Sequence, residues 1–328
     1  LVAGMQAALH AGNLDLARES FSAWRAWEDF LLSKSDGYIV NYSYYGDWAG
    51  PEYACDPRPG GAQSAVTPGV FMSTGYSYYN CALLAKFADL LGDGEAAARY
   101  RELAGRIRQA MLDKWYDSKT GVVATGSQGC QAFALWLDIL PEAGRAAAAR
   151  VMRDDLVHSD YHFTTGNLCT RYLLTELTRF GYLDEAWTLF TREQYPSFGY
   201  MIQNEATTIW ERLELKKDPG MNSHSHPMYA AADQWLYGCI AGVAPTAPGY
   251  RTVDIRPHLP SGLLSAQATV DTVKGPLTVR WVRQYGEARL LVDLPFGVEA
   301  AVTFAGQAHR VGSGLYTFSA PDDGDAIC

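Results

Sequence analysis

STGYSYYNCALLAKFADLLGDGEAAARYRELAGRIRQAMLDKW, residues 73–115, decides the fold. Apolar residues recur at helical spacing over Ser73–Leu91 and again over Glu95–Trp115. Gly92-Asp93-Gly94 separates the two runs, a glycine stop followed by an aspartate cap. The first helix is the more apolar and the second the more charged. The same pairing recurs at Gln128–Leu140 with Glu142–Leu156, split at Pro141, and at Asn167–Phe180 with Leu183–Gln194, joined at Gly181. Leu135-Trp136-Leu137 on one helix contrasts with Arg145, Arg150, Arg153, Asp154 and Asp155 on its partner. Upstream, Ala11–Leu32 places Leu14, Ala17, Phe21, Trp24, Trp27 and Leu31 on one broad face, and Met228–Gly242 reads as a last apolar helix. Hairpins of this kind in series predict a two-layer helical toroid, with inner helices buried on most sides and outer helices amphipathic. Loops rich in Gly, Tyr and Thr lead into the inner helices, including Tyr44-Tyr45-Gly46-Asp47-Trp48, Thr125–Gln128 and Phe163–Asn167. Such loops converge on one end of a toroid, where a site is expected.

After Gly242 the pattern changes. Ala244-Pro245-Thr246-Ala247-Pro248-Gly249 reads as a linker, and period-two alternation follows in Thr252–Arg256, Ala266–Val273, Leu277–Trp281, Arg289–Leu294, Ala300–Phe304 and Leu315–Phe318. An antiparallel β-sandwich is predicted there. The expected division is a helical domain over 1–243, a β domain over 244–320 and a loose acidic tail over 321–328.

The 328 residues are 48% hydrophobic and 19% charged, as in ordinary globular chains rather than disordered ones. A net charge of −9 without any Lys/Arg run disfavours nucleic acid and anionic membrane surfaces as partners. No apolar run approaches the ~18 residues of a membrane span. Leu1–Met5 lacks the features of a signal peptide and does not start with Met, so compartment stays open. The six cysteines have no CxxC spacing, so buried free thiols are expected rather than a zinc site, and nothing calls for a metal or cofactor.

One short region concentrates chemistry: Gln203-Asn204-Glu205-Ala206-Thr207-Thr208-Ile209-Trp210-Glu211-Arg212, then Gly220-Met221-Asn222-Ser223-His224-Ser225-His226. Flat aromatic faces suit the apolar faces of sugar rings, and carboxylates and amides suit their hydroxyls. A carboxylate can also activate water. Aromatic content of 12% agrees with this, although large helical cores use as many rings. On spacing alone, Glu211 reads equally as a helix-start carboxylate or a partner for Arg212.

The order of features resembles glycoside hydrolase family 78, the inverting α-L-rhamnosidases. The segments that carry the resemblance are Tyr45-Gly46-Asp47-Trp48, Ser73–Tyr79, Thr164–Leu168 with Tyr172-Leu173-Leu174, and Tyr195–Ile202. Ala206–Arg212, Met221-Asn222-Ser223 with His226, and Gly242 through Ile255-Arg256-Pro257 complete the series. The resemblance implies a mainly α chain with a β domain: a catalytic (α/α)6 barrel followed by a β-sandwich. It implies Glu211 as the water-activating base, with Asp47, Trp48, Trp210, Asn222 and His226 around the sugar. The implied substrate is a glycan or glycoside with terminal α-L-rhamnose.

Some positions depart from the family pattern. Glu205 stands where the family has a small residue, glycine, and Leu213-Glu214-Leu215 replaces a Trp-Asp continuation. The family's general acid lies in an Asp-x-x-x-x-Glu-Arg-x-Gly-Trp segment, which this sequence lacks. Roughly eight long helices are patterned, fewer than six hairpins need. The expectation is therefore a C-terminal portion of such an enzyme, inactive alone. Its missing N-terminal part, or a second copy of the chain, would be a partner. Two other readings stay open: a non-catalytic carbohydrate-binding or degenerate six-hairpin module, and another six-hairpin exo-glycosidase or polysaccharide lyase. A lyase would need a basic site, which the acidic, Trp-rich motif disfavours.

Overall fold

A computed structural model describes residues 1–42, 45–57, 61–215 and 223–327. Two compact units make up the chain, one of Leu1–Ser20 with Asp233–Cys328, the other of Phe21–Ala232. The elements begin with helices α1 (Val2–Ala11) and α2 (Asp15–Ser33) and a two-stranded turn, β1 (Ser35–Asp36) with β2 (Ile39–Val40). Three helix pairs follow: α3 (Gly69–Leu91) with α4 (Gly94–Trp115), α5 (Gln128–Trp136) with α6 (Glu142–His158), and α7 (Thr170–Arg179) with α8 (Leu183–Thr191). Next come α9 (Phe198–Gln203), α10 (Pro227–Ala230), α11 (Asp233–Trp235) and a π-helical turn over Leu236–Ile240.

The hairpin reading of 73–115 holds. Gly92 takes a left-handed φ of 80° at the end of α3, and the Asp93 side chain accepts from Ala96 N–H to cap α4. The apolar members α3, α5 and α7 pack in succession, each also against its own partner. Between them lies an aromatic core. Phe133 meets Phe71, Tyr76 and Tyr172, and Trp136 stacks on Tyr172 at 4.1 Å. Gly75 lets α3 approach α5: a Cβ there would come within 2.3 Å of the Phe133 ring.

Several boundaries differ from the expected ones. The helix expected over Ala11–Leu32 starts later, at Asp15, because Gly12 closes α1 at a φ of 70° and Asn13 Oδ1 accepts from Asp15 N–H to restart the chain. Trp27, expected on the buried face, is 51% exposed, and Glu28 beside it is fully buried. Met228–Gly242 is broken into three short pieces. Helical spacing of apolar residues does not reveal whether the backbone ladder is continuous.

The first unit holds two four-stranded sheets. One has the order β10 (Gly314–Pro321), β7 (Glu287–Leu294), β6 (Gly275–Gln284), β5 (Ser265–Thr272), antiparallel throughout. The other runs β3 (Val243–Pro245), β4 (Thr252–Ile255), β8 (Glu299–Phe304), β9 (Gln307–Val311). There β4 pairs with β8 in parallel, a departure from an all-antiparallel arrangement. Pro245 is tolerated because β3 is an edge. β9 shows no apolar alternation and so left no mark in the sequence. Along β6, Leu277, Val279 and Trp281 alternate inward, and the buried Trp281 indole donates to Ile240 O at 2.8 Å. The tail, expected loose, is held in place. Leu259 and Ile327 exchange backbone hydrogen bonds, and the buried Arg283 donates to Gly324 O and pairs with Asp322.

Cys55, Cys81, Cys130 and Cys169 are buried free thiols. No helix among the described residues is long and apolar enough to cross a membrane.

Candidate active site

Everything in this site belongs to the unit Phe21–Ala232. Two stretches, 208–211 and 223–226, lie side by side. Glu211 N–H donates to Ser223 O at 2.8 Å, and His226 N–H donates to Ile209 O at 2.9 Å. The Thr208 hydroxyl donates to His224 O. The Glu211 side chain returns the pairing, its Oε2 accepting from Ser223 N–H at 3.1 Å. Glu211 is half-buried, and so is His226, which caps α10 with its ring: Nδ1 accepts from Met228 N–H at 3.4 Å. Glu211 is thereby set opposite Ser223, and His226 opposite Ile209.

Trp210 is 3% exposed, and the exposed His224 ring stacks on it at 4.8 Å. Its expected contact with sugar thus becomes packing, since so little of the indole surface is open. Arg212, also 3% exposed, donates through Nε to Glu214 Oε1 at 2.6 Å, so its ion pair is with Glu214 rather than with the neighbouring Glu211. Asn222 lies outside the described residues.

The Gly46-Asp47-Trp48 turn is tied to the loop before α7. Asp47 is fully buried, and its carboxylate accepts from Gly166 N–H at 2.6 Å, Cys169 N–H at 2.9 Å and Leu168 N–H at 3.1 Å. Asn167 N–H donates to Trp48 O, and a Cβ on Gly166 would come within 2.3 Å of that same oxygen. Asp47 was expected to touch sugar, but both of its oxygens are occupied inside the protein. Burial pushes its carboxyl up to about 6, against the downward pull of the donor N–H groups. Trp48 beside it is half-buried and meets the exposed Tyr45 ring edge-on at 4.9 Å.

A buried polar layer joins the two halves, and no sequence pattern announced it. The Tyr229 hydroxyl, three residues beyond His226, donates to Ala49 O at 2.8 Å. Burial raises its pKa, and the charges of Asp47, Glu214 and Arg212 all act on it. The Cys55 thiol is pushed up to about 11 by burial, with Arg212 pulling it down and Glu214 and Asp47 adding to the rise. Asp47, Cys55, Arg212, Glu214 and Tyr229 thus share one low-dielectric neighbourhood. The segment carrying Glu211 and His226 is seated on the Asp47 turn through it.

Glu205 is exposed at a left-handed φ of 63°, which explains why glycine suits this position. Glu205→Gly is expected to raise stability by about 0.5–1 kcal/mol by relieving that strain, read as a higher thermal midpoint. Turnover should stay unchanged. A loss of a hundredfold or more in kcat would instead mark Glu205 as the acid.

Residues 4–240 match the model of the bacterial alpha-L-rhamnosidase 6 hairpin glycosidase domain, and residues 242–315 that of the bacterial alpha-L-rhamnosidase C-terminal domain. The chain belongs to this family of six-hairpin glycosidases. It is 33% identical over 323 residues to an alpha-L-rhamnosidase of Streptomyces avermitilis, covering 96% of this chain and 30% of the relative. An alpha-L-rhamnosidase of Alteromonas sp. is 30% identical over 296 residues, covering 88% of this chain and 32% of the relative. Among solved structures, the alpha-L-rhamnosidase from Dictyoglumus thermophilum superposes with a TM-score of 0.89 at 30% identity, covering 97% of this chain and 38% of that one. The Streptomyces avermitilis enzyme, solved in complex with L-rhamnose, gives 0.85 at 30% identity over 95% and 31% of the two chains. The chain therefore spans about a third of the length of its relatives.

Proposed function

We propose that the protein acts in the hydrolysis of terminal α-L-rhamnose from glycosides or glycans, with inversion, and that Glu211 is the general base. The observation that carries this is the pairing of residues 208–211 with 223–226, which sets the half-buried Glu211 and the half-buried His226 on the two paired stretches. Glu211 would take a proton from water as the water attacks the anomeric carbon. A second carboxyl, ~6.5–9.5 Å away across the sugar, would protonate the leaving oxygen. We place that acid outside the described residues, on the Asp-x-x-x-x-Glu-Arg-x-Gly-Trp segment that the resemblance implies. His226, Trp48 and Asn222 would meet the sugar. Asp47 and Trp210 act one step back, Asp47 fixing the Trp48 turn and Trp210 packing beside Glu211.

The stereochemistry tests the scheme. Proton NMR of a freshly started hydrolysis of an α-L-rhamnoside should show β-L-rhamnose first, with the α anomer growing in by mutarotation. An initial α product would mean a covalent intermediate and would remove Glu211 from the base role.

A further inference from the structure

Four turns of the β-containing unit meet at one end of its sheets. They are the β3–β4 connection (246–251), the β5–β6 turn (273–274), the β7–β8 turn (295–298) and the β9–β10 turn (312–313), and together they line a cavity of about 500 Å³. Loops gathered at one end of a sandwich are a common place for a binding site, because the sheets fix their spacing. The volume falls within the ~300–1,000 Å³ of small-molecule sites. A neighbouring cavity of about 480 Å³ shares Thr252, Glu299 and Gly312, so the groove runs on across the β4–β8 pair.

The turns are tied down. Thr246 and Thr252 share a hydroxyl contact at 2.7 Å, and Glu299 N–H donates to Arg251 O at 3.0 Å. The Thr272 hydroxyl donates to Gly275 O at 2.7 Å and accepts from Lys274 N–H at 3.1 Å. Gly297 N–H donates to Ser313 Oγ at 2.9 Å, which joins the β7–β8 turn to the β9–β10 turn. The charged side chains of the lining are Arg251, Lys274 and Glu299. Neither cation has an ion-pair partner among the described residues. A Cβ on Gly297 would stand 3.9 Å from the Lys274 ammonium, which places that charge over the β7–β8 turn. On the same turn Phe296 is 91% exposed. Singly, an exposed ring or cation is ordinary on a protein surface. Here a ring, two unpaired cations and one carboxylate share a concave surface.

That combination narrows the ligand. Arg251 and Lys274 call for an anion, and a planar carboxylate matches the guanidinium fork. A bare phosphate would leave Phe296 without a partner and would be repelled by Glu299. A neutral sugar would leave both cations unused. Nucleic acid calls for a basic surface, which a chain of net charge −9 does not offer. A pyranose with a carboxylate at one edge uses every group: the carboxylate meets Arg251 and Lys274, a hydroxyl donates to Glu299, and the apolar ring face covers Phe296.

We propose that this end of the β unit binds a hexuronate residue, as carried by an acidic polysaccharide. Its residues all belong to the unit of Leu1–Ser20 with Asp233–Cys328, so the ligand is independent of the rhamnoside reading of Glu211.

The test is calorimetric titration of the chain with tetragalacturonate and with its methyl ester, which keeps the rings and removes the charge. The acid should bind about tenfold more tightly than the ester, the scale of one charge-assisted hydrogen bond. Salt at about 1 M, where the screening length is ~3 Å, should erase that advantage. Arg251→Ala and Lys274→Ala should each weaken the acid and leave the ester unchanged, whereas Phe296→Ala should weaken both. All three side chains are exposed, so the thermal midpoint should stay within a degree or so of the parent's. Absence of binding, equal affinity for acid and ester, or an advantage that survives both cation variants overturns the site. Inorganic phosphate competing as well as the sugar acid also overturns it, since the cavity would then hold any anion. Free galacturonate binding as tightly as the tetramer would keep the hexuronate site and assign it to the free sugar acid rather than to a polysaccharide.

Discussion

Glu211→Gln is expected to lower kcat on p-nitrophenyl α-L-rhamnoside by about 10²–10⁴-fold in the active enzyme, the usual contribution of a general base. The substitution is nearly isosteric. A glutamine oxygen can still accept from Ser223 N–H, so the pairing of residues 208–211 with 223–226 should persist. The thermal midpoint should therefore hardly move, and KM should change far less than kcat, because the loss falls on proton removal in the transition state. Turnover within a few-fold of the parent enzyme would end the assignment of Glu211 as base. A collapse of stability alongside turnover would show instead that the carboxylate is needed to hold its own loop.

The second large effect is expected at Asp47. Asp47→Ala removes the acceptor for three backbone N–H groups, those of Gly166, Leu168 and Cys169, at a fully buried position. An unsatisfied buried donor costs roughly 1–3 kcal/mol, so a total loss of about 3–5 kcal/mol is expected even with partial relaxation. Denaturant unfolding measures it, and a loss below about 1 kcal/mol would mean the turn is held by other contacts. The carboxyl also gives stability a pH dependence of known sign. Its pKa lies near 6 in the folded protein and at the ordinary 3.8 when unfolded. The folded state thus holds the extra proton between those values, and this group favours folding most strongly below about pH 4. Its contribution falls as pH rises through 6. In Asp47→Asn that downward slope between pH 4 and 6 should disappear.

The sequence made the helix pairs plain, because glycine stops and aspartate caps are local chemistry. It also exposed Glu211 and His226, which stand in a dense run of sugar-binding residue types. Asp47 entered only through the resemblance, and its three N–H donors come from residues more than a hundred positions downstream, which spacing cannot register. Trp27 and Glu28 reversed their expected places for a similar reason: Ser77, Asn80 and Cys81 on α3 supply the polar partners that let the carboxylate go inside. Cys55 was legible as a buried thiol and Glu214 as a departure from the family pattern, but nothing in the spacing joined them to Tyr229 in one layer.

His226 spends Nδ1 on the Met228 N–H. The nitrogen that accepts that bond cannot carry the ring proton in the neutral imidazole, so the proton resides on Nε2. The ring therefore presents an N–H outward. It can give a hydrogen bond to a hydroxyl oxygen, but it has no lone pair on that side with which to take a proton from water. A single backbone amide at the start of a one-turn helix thus makes His226 a donor toward its open side.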